Sequence, residues 1–214
     1  MKIKNIENWN RKEHFEFFSK YDNPFLGIVT EIDCSKAFKI SKGNKLSFFS
    51  YYLHKSILAV NKIEEFKYRI QDKNVVTFDS IHAAATIGRK DGTFGFSFIP
   101  FSTDFDTFNS KLLKEIEEVE RSSGLRLNEN GKRNDVIHYS IFPWRKFTGI
   151  SHSRNFNTED SVPKIAFGKA FTHEGRKMLP VSIDAHHGLV DGLHVAQFLD
   201  EFQKSMNEEY LVSA

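Results

Sequence analysis

Apolar positions along this chain recur at two spacings, and the change from one to the other predicts its elements. Residues 104–121 put Phe105, Phe108, Leu112, Ile116 and Val119 on one stripe, the period of an amphipathic helix. Residues 44–62 do the same with Phe49, Leu53, Ile57 and Val60, and residues 193–206 with Val195, Leu199, Phe202 and Met206. Asn10-Arg11-Lys12-Glu13 has the form of a capping box and predicts a helix to about residue 20. Shorter apolar runs predict strands at 25–32, 68–70, 75–78, 83–88, 93–99, 136–142, 165–171 and 178–185. Asp72-Lys73-Asn74 and Arg89-Lys90-Asp91-Gly92 read as hairpin turns, and so does the stretch 173–177. Residues 122–134 are polar and predict a loop. The pattern is α+β in one domain, 1–214: a large mixed, mostly antiparallel β-sheet flanked by α-helices.

Charge narrows the partners. With 30 basic and 28 acidic side chains, the chain offers no reason to expect nucleic acid or a membrane surface. A small molecule is the default ligand. No run approaches the roughly 18 apolar residues of a membrane span, and residues 1–9 lack a signal-peptide pattern, so a cytoplasmic location is expected. The single cysteine, Cys34, rules out an internal disulfide and a CxxC metal site, and nothing in the sequence points a base at it. Phe occurs 22 times, enough to fill a core and still line a pocket or an interface.

The chemistry concentrates near the C-terminus, in His186-His187-Gly188-Leu189-Val190-Asp191-Gly192, followed by Leu193-His194-Val195. Three readings compete. A metal site would use histidines and a carboxylate four apart, but adjacent residues of a strand point to opposite faces, so His186 and His187 cannot easily share one ion. A purely structural role suits most of the nine histidines; His14, His54, His82, His152 and His173 are read that way. In the third reading, one histidine of the pair faces a cleft as a general base, because imidazole titrates near neutrality. Asp191 then orients the segment, and Gly192 permits a tight helix start.

The segment resembles the active-site signature of the chloramphenicol acetyltransferase family. The resemblance extends to Asn8-Trp9-Asn10-Arg11-Lys12-Glu13-His14-Phe15-Glu16-Phe17, to Tyr139-Ser140-Ile141-Phe142-Pro143-Trp144 and to Leu179-Pro180-Val181-Ser182, in order along nearly the whole chain. It implies a two-layer sandwich, assembled as a homotrimer with active sites between subunits. It implies acetyl-CoA as co-substrate, a small hydroxyl acceptor and no metal. His187 would be the general base, Ser140 the oxyanion stabiliser, and Asp191 with Arg11 a structural pair. His186 would point away from the chemistry, and His194 has no assigned role.

The acceptor positions Phe17, Phe18, His138, Lys164 and Ala166 follow from the same resemblance, and four of them depart from it. Phe18 stands where chloramphenicol-binding members usually have Tyr, His138 where they have Asn, Lys164 where they have an apolar residue, and Ala166 where they have Thr. The stretch 148–161 is also polar. The expected reaction is O-acetylation of chloramphenicol at its primary hydroxyl, with a more polar alcohol or an amine as the alternative acceptor. Lys45 and Lys55 are candidates for the CoA phosphates, with an ordinary surface lysine as the rival reading for each. Two other classes remain: a dihydrolipoyl acyltransferase core, whose signature usually reads Asp-His-Arg, and a non-catalytic trimeric binding protein.

Overall fold

The computed structural model describes residues 1–155 and 159–210. The strands are β1 (Lys2–Ile3), β2 (Phe25–Asp33), β3 (Tyr68–Gln71), β4 (Asn74–Thr77), β5 (His82–Gly88), β6 (Phe94–Phe96), β7 (Val136–Phe142), β8 (Lys164–Gly168), β9 (Phe171–His173) and β10 (Arg176–His186). The α-helices are α1 (Lys12–Phe18), α2 (Ser35–Gly43), α3 (Phe48–Lys62), α4 (Phe105–Arg121) and α5 (Gly192–Met206). Among the described residues, no helix is long and apolar enough to cross a membrane.

The main sheet runs β2-β10-β8-β7-β5-β6, with β9 also on β10. The β5–β7 and β7–β8 pairs are parallel and the rest antiparallel, so the sheet is mixed and mostly antiparallel as expected. Strand β10 is its spine. It pairs β2 from Met178 to His186, β8 from Val181 to Asp184, and β9 from Arg176 to Met178. Pro180 falls between the β8 and β9 pairings, where its missing N–H breaks no ladder on that side. A second, three-stranded sheet has the order β1-β4-β3.

Alternation along the strands separates two faces. Ile137, Tyr139, Ile165, Phe167, Val181 and Ile183 are all essentially buried, in one cluster with the helices. Helix α3 packs against α2, α4 and α5 on that side. Phe198 and Phe202 of α5 are fully buried, each stabilising the layer by about 2–3 kcal/mol. The other face carries Ala84, Thr86, His138, Ser140, Lys164 and Asp184 and is only partly covered.

Three expectations are corrected. Helix α3 begins at Phe48, capped by the Ser47 side chain, and not at Asn44, which closes α2. Helix α2 itself was not anticipated; its first turn is held by the Ser35 N–H donating to Asp33 Oδ1 at 2.9 Å. The capping box at 10–13 does not form: α1 starts one residue later, with Arg11 at the N-cap, and a guanidinium has no acceptor to offer the first-turn N–H groups.

Candidate active site

Strand β10 ends at His186, and the chain then turns sharply into α5. Gly188 makes that turn possible: a Cβ there would sit 3.1 Å from both the His186 ring and the Phe15 Cα. The His187 N–H donates to the Pro24 carbonyl at 2.7 Å, pinning the backbone. Its Nδ1 lies 3.3 Å from the Val190 carbonyl oxygen. A carbonyl only accepts, so Nδ1 carries the proton and Nε2 keeps the lone pair. The half-buried ring stacks on Phe18, with centroids 3.9 Å apart and planes 21° from parallel. The orientation of His187 is thus fixed, and the contact at Nδ1 favours the tautomer that a general base uses.

Arg11 and Asp191 tie this turn to the N-terminal helix. Arg11 Nη1 pairs with Asp191 Oδ2, and Nη2 donates to the His187 carbonyl at 3.0 Å. Asp191 caps α5 through the Leu193 N–H at 3.0 Å. Burial opposes ionisation of Asp191, but the Arg11 hydrogen bond and the His194 and Arg11 charges outweigh it and hold the carboxyl below its ordinary range. His194, left without a role by the sequence, completes a reciprocal cap: its Nδ1 accepts the Asp191 N–H at 3.1 Å, and its Nε2 lies 3.6 Å from Glu65. His186 is buried, its Nδ1 accepts the Gly188 N–H at 3.2 Å, and burial first, then the Arg154 charge, push it down to about 4. It serves the turn as a neutral ring.

Ser140, His138 and Lys164 lie elsewhere in the chain, around a cavity of about 540 Å³. Strand register sets them side by side, with His138 opposite Lys164 and Ser140 opposite Ala166. The Ser140 hydroxyl has no hydrogen-bond partner among the described residues. Ala166 is fully buried and does not reach the cavity. Phe96, Phe98, Leu127 and Ile150 form apolar walls, and Asn128, Ser151 and His152 add polar atoms. His187 does not line this cavity, and neither do Phe17 and Phe18. In one chain, therefore, His138, Ser140 and Lys164 line a cavity that Phe17, Phe18, Ala166 and His187 do not, while Arg11 and Asp191 belong to the His187 turn. Both the turn and the cavity adjoin exposed aromatic surface, Phe17 and Tyr21 for the turn, Phe96, Phe142 and Trp144 for the cavity.

The comparisons with known proteins fit this arrangement. The family described as chloramphenicol acetyltransferase matches residues 1–203. The chain belongs to the chloramphenicol acetyltransferase family. Chloramphenicol acetyltransferase 3 of Escherichia coli is 26% identical over 205 residues, covering 95% of this chain and 96% of that one. The Bacillus pumilus chloramphenicol acetyltransferase is 30% identical, covering 91% and 88% respectively. A solved chloramphenicol acetyltransferase structure superposes with a TM-score of 0.91 at 34% identity, over 96% of this chain and 100% of that one. The Azotobacter vinelandii dihydrolipoamide acetyltransferase shares the fold alone, at 14% identity and a TM-score of 0.64. Family membership makes the chain an acyltransferase, and the two-layer arrangement is the one expected from the resemblance.

Several features escaped the sequence. Arg154, from the polar stretch 148–161, whose residues 156–158 lie outside the described residues, is the hub of an ion network. Its Nε donates to Asp184 Oδ1 at 2.7 Å, its Nη1 lies 3.2 Å from Asp160 Oδ2, and its guanidinium sits 3.6 Å over the Phe25 ring. No local pattern announces such a hub. His152 was read as an ordinary histidine, yet it lines the cavity and its buried Nε2 has no partner. Lys55, weighed as a surface lysine, is only 8% exposed and lies over Tyr51, 3.6 Å from Glu208. Among the described residues, no group of three or more His, Cys, Asp or Glu side chains has the arrangement of a metal site.

Proposed function

We propose that this protein transfers the acetyl group of acetyl-CoA to a hydroxyl of a small acceptor, with His187 as general base. The observation that carries the reading is the contact of His187 Nδ1 with the Val190 carbonyl, which favours the tautomer with its lone pair on Nε2. The acceptor O–H gives its proton to Nε2 while its oxygen attacks the thioester carbonyl. The tetrahedral intermediate collapses, the C–S bond breaks, and the imidazolium returns the proton to the departing CoA thiolate. No acyl-enzyme forms, so the buried Cys34 has no part in it. The Ser140 hydroxyl stabilises the oxyanion, worth about 3 kcal/mol for a well-aimed donor.

Ser140 of one copy meets His187 of another in this proposal, in a homotrimer with three interfacial sites. Its support is that the two residues fall in separate parts of a single chain, each beside exposed aromatic side chains that a neighbour would cover. Chloramphenicol is the acceptor to which the relatives' names point, and efficient acetylation of it in the cytoplasm would confer antibiotic resistance. A more polar acceptor is the second reading, favoured by Lys164, His138 and His152 in the cavity wall.

The test is CoA thiol release from acetyl-CoA with chloramphenicol, using His187→Ala as control. Release that the substitution lowers by about 10²-fold or more supports both base and acceptor. Release unaffected by the substitution removes His187 from the mechanism. A chain that binds acetyl-CoA but acetylates no hydroxyl compound is a binding protein instead.

A further inference from the structure

The cavity beside Ser140 contains two kinds of cation. Arg126 is fully committed: Nη1 lies 2.9 Å from Glu115, Nη2 lies 3.1 Å from Glu118, and Nη1 also donates to the Phe96 carbonyl. Glu115 is equally occupied, since it also accepts the Phe98 N–H at 3.2 Å. Lys164 differs. Its Nζ donates to the Ser153 carbonyl, and no carboxylate among the described residues lies within ion-pair distance. Two carboxylates are near enough to matter, Asp160 and Asp184, but Arg154 holds both. A lysine ammonium has three N–H donors, so two are left for solvent or a ligand in the cavity.

Lys164 has no carboxylate of its own: Asp160 and Asp184 favour its charge from a distance, but both are paired with Arg154. Desolvation first, and then the Arg154 charge, lower its proton affinity below that of an ordinary lysine. Among the described residues, His138, directly opposite on β7, makes no side-chain hydrogen bond, and the buried Nε2 of His152 in the same wall has no partner. Around this polar spot the walls are apolar, with Phe96, Leu127 and Ile150. A ligand matched to both would carry one negative charge on an otherwise apolar body.

We propose that the preferred acceptor is a hydroxyl compound carrying a carboxylate, which pairs with Lys164 while its apolar body lies against Phe96, Leu127 and Ile150. This rests on the acetyl-transfer reading for the fate of the hydroxyl, but the charge preference belongs to the cavity. Lys164 thereby sets acceptor specificity, and a neutral alcohol of the same shape is a poorer substrate.

The probe pair is 4-(hydroxymethyl)benzoate and its methyl ester, equal in ring and hydroxyl and different in charge. CoA release and calorimetric binding are measured for both with the wild-type protein, Lys164→Met and Lys164→Arg. The wild type is expected to favour the carboxylate by about ten- to a hundred-fold, the range for a charge-assisted contact. That ratio collapses toward unity in Lys164→Met and persists in Lys164→Arg. Equal or better handling of the ester by the wild type overturns the proposal, as does a preference that survives Lys164→Met or the binding of neither compound. If Lys164→Met does not fold, the wild-type ratio and Lys164→Gln decide. Calorimetric preference for the carboxylate without any CoA release rejects acetyl transfer and leaves the charge preference standing.

Discussion

Arg11 and Asp191 are 180 residues apart and form one ion pair at the turn that carries His187. The same guanidinium donates to the His187 carbonyl at 3.0 Å, so a single side chain grips the His187 backbone and the cap of α5 together. Arg11 is 6% exposed, and the Asp191 side chain keeps 28% of its surface.

Replacing either partner strands the other. Asp191→Asn and Arg11→Leu are each expected to destabilise the fold by about 3 kcal/mol, the lower end for a buried pair because Asp191 retains some solvent. The double substitution should cost clearly less than the sum, since both singles remove one interaction. Urea midpoints across the four-member cycle measure this; strict additivity would mean the pair contributes no coupling. In Arg11→Leu activity should fall further than stability explains, because the His187 carbonyl loses its anchor.

Acid should weaken the fold through buried histidines. His54 is 2% exposed, and burial pushes it down to about 4 against the opposing Ser102 carbonyl bond; His186 is pushed to the same value. The unfolded chain takes up these protons near pH 6.5, the native state only near 4. Stability is therefore full above pH 6.5 and declines as the pH falls toward 4, by up to about 3 kcal/mol per histidine. His54→Gln keeps a donor for the Ser102 carbonyl and removes the titration. Its loss of urea midpoint between pH 7 and 4.5 should be visibly smaller than the wild type's; an identical pH slope would show that His54 plays no part.

Cys34 gives a simpler check. It is fully buried at the start of α2, and burial first, then the Asp33 charge, push its thiol up to about 12. Ellman's reagent should leave it untouched in the native protein and titrate one thiol after denaturation. Native-state reaction within minutes would mean that the segment around α2 opens readily.

The legible parts of this protein are those whose signal is local. Helix α4 was found to within a residue because five apolar side chains form one stripe and Asp104 caps it. Helix α2 was missed because nine residues with Ala37, Phe38 and Ile40 give too short a period to separate from the polar residues around it. The apparent capping box at Asn10 is displaced by one residue: Arg11 takes the N-cap position of α1 and, as a donor only, pairs with Asp191, a contact that no window of residues 10–13 contains. The parallel β5–β7–β8 pairing is likewise invisible in strand patterns, since alternation reports a face and not a neighbour. Of the candidate site, His187 and Asp191 stood out by their spacing and Ser140 only by resemblance, whereas Arg154 is placed by its ion pairs with Asp160 and Asp184 and His152 by the cavity wall, neither of which a local pattern contains.

Two inactive proteins should restore activity when combined. In the proposed trimer, each site takes His187 from one subunit and Ser140 from the next. His187→Ala and Ser140→Ala subunits, co-expressed at equal levels, assemble into mixed rings in which some sites receive both intact side chains. With random assembly that holds for about a quarter of sites, by the symmetry of a closed ring. CoA release by the mixture should thus approach a quarter of the wild-type rate, while each variant alone stays at least about 10²-fold down. Mixing the two purified homotrimers without subunit exchange should restore nothing. If co-expression also restores nothing although mixed trimers are recovered, His187 and Ser140 act within one subunit or do not act together. In a single chain His187 does not line the cavity that Ser140 lines, which argues against the first of these.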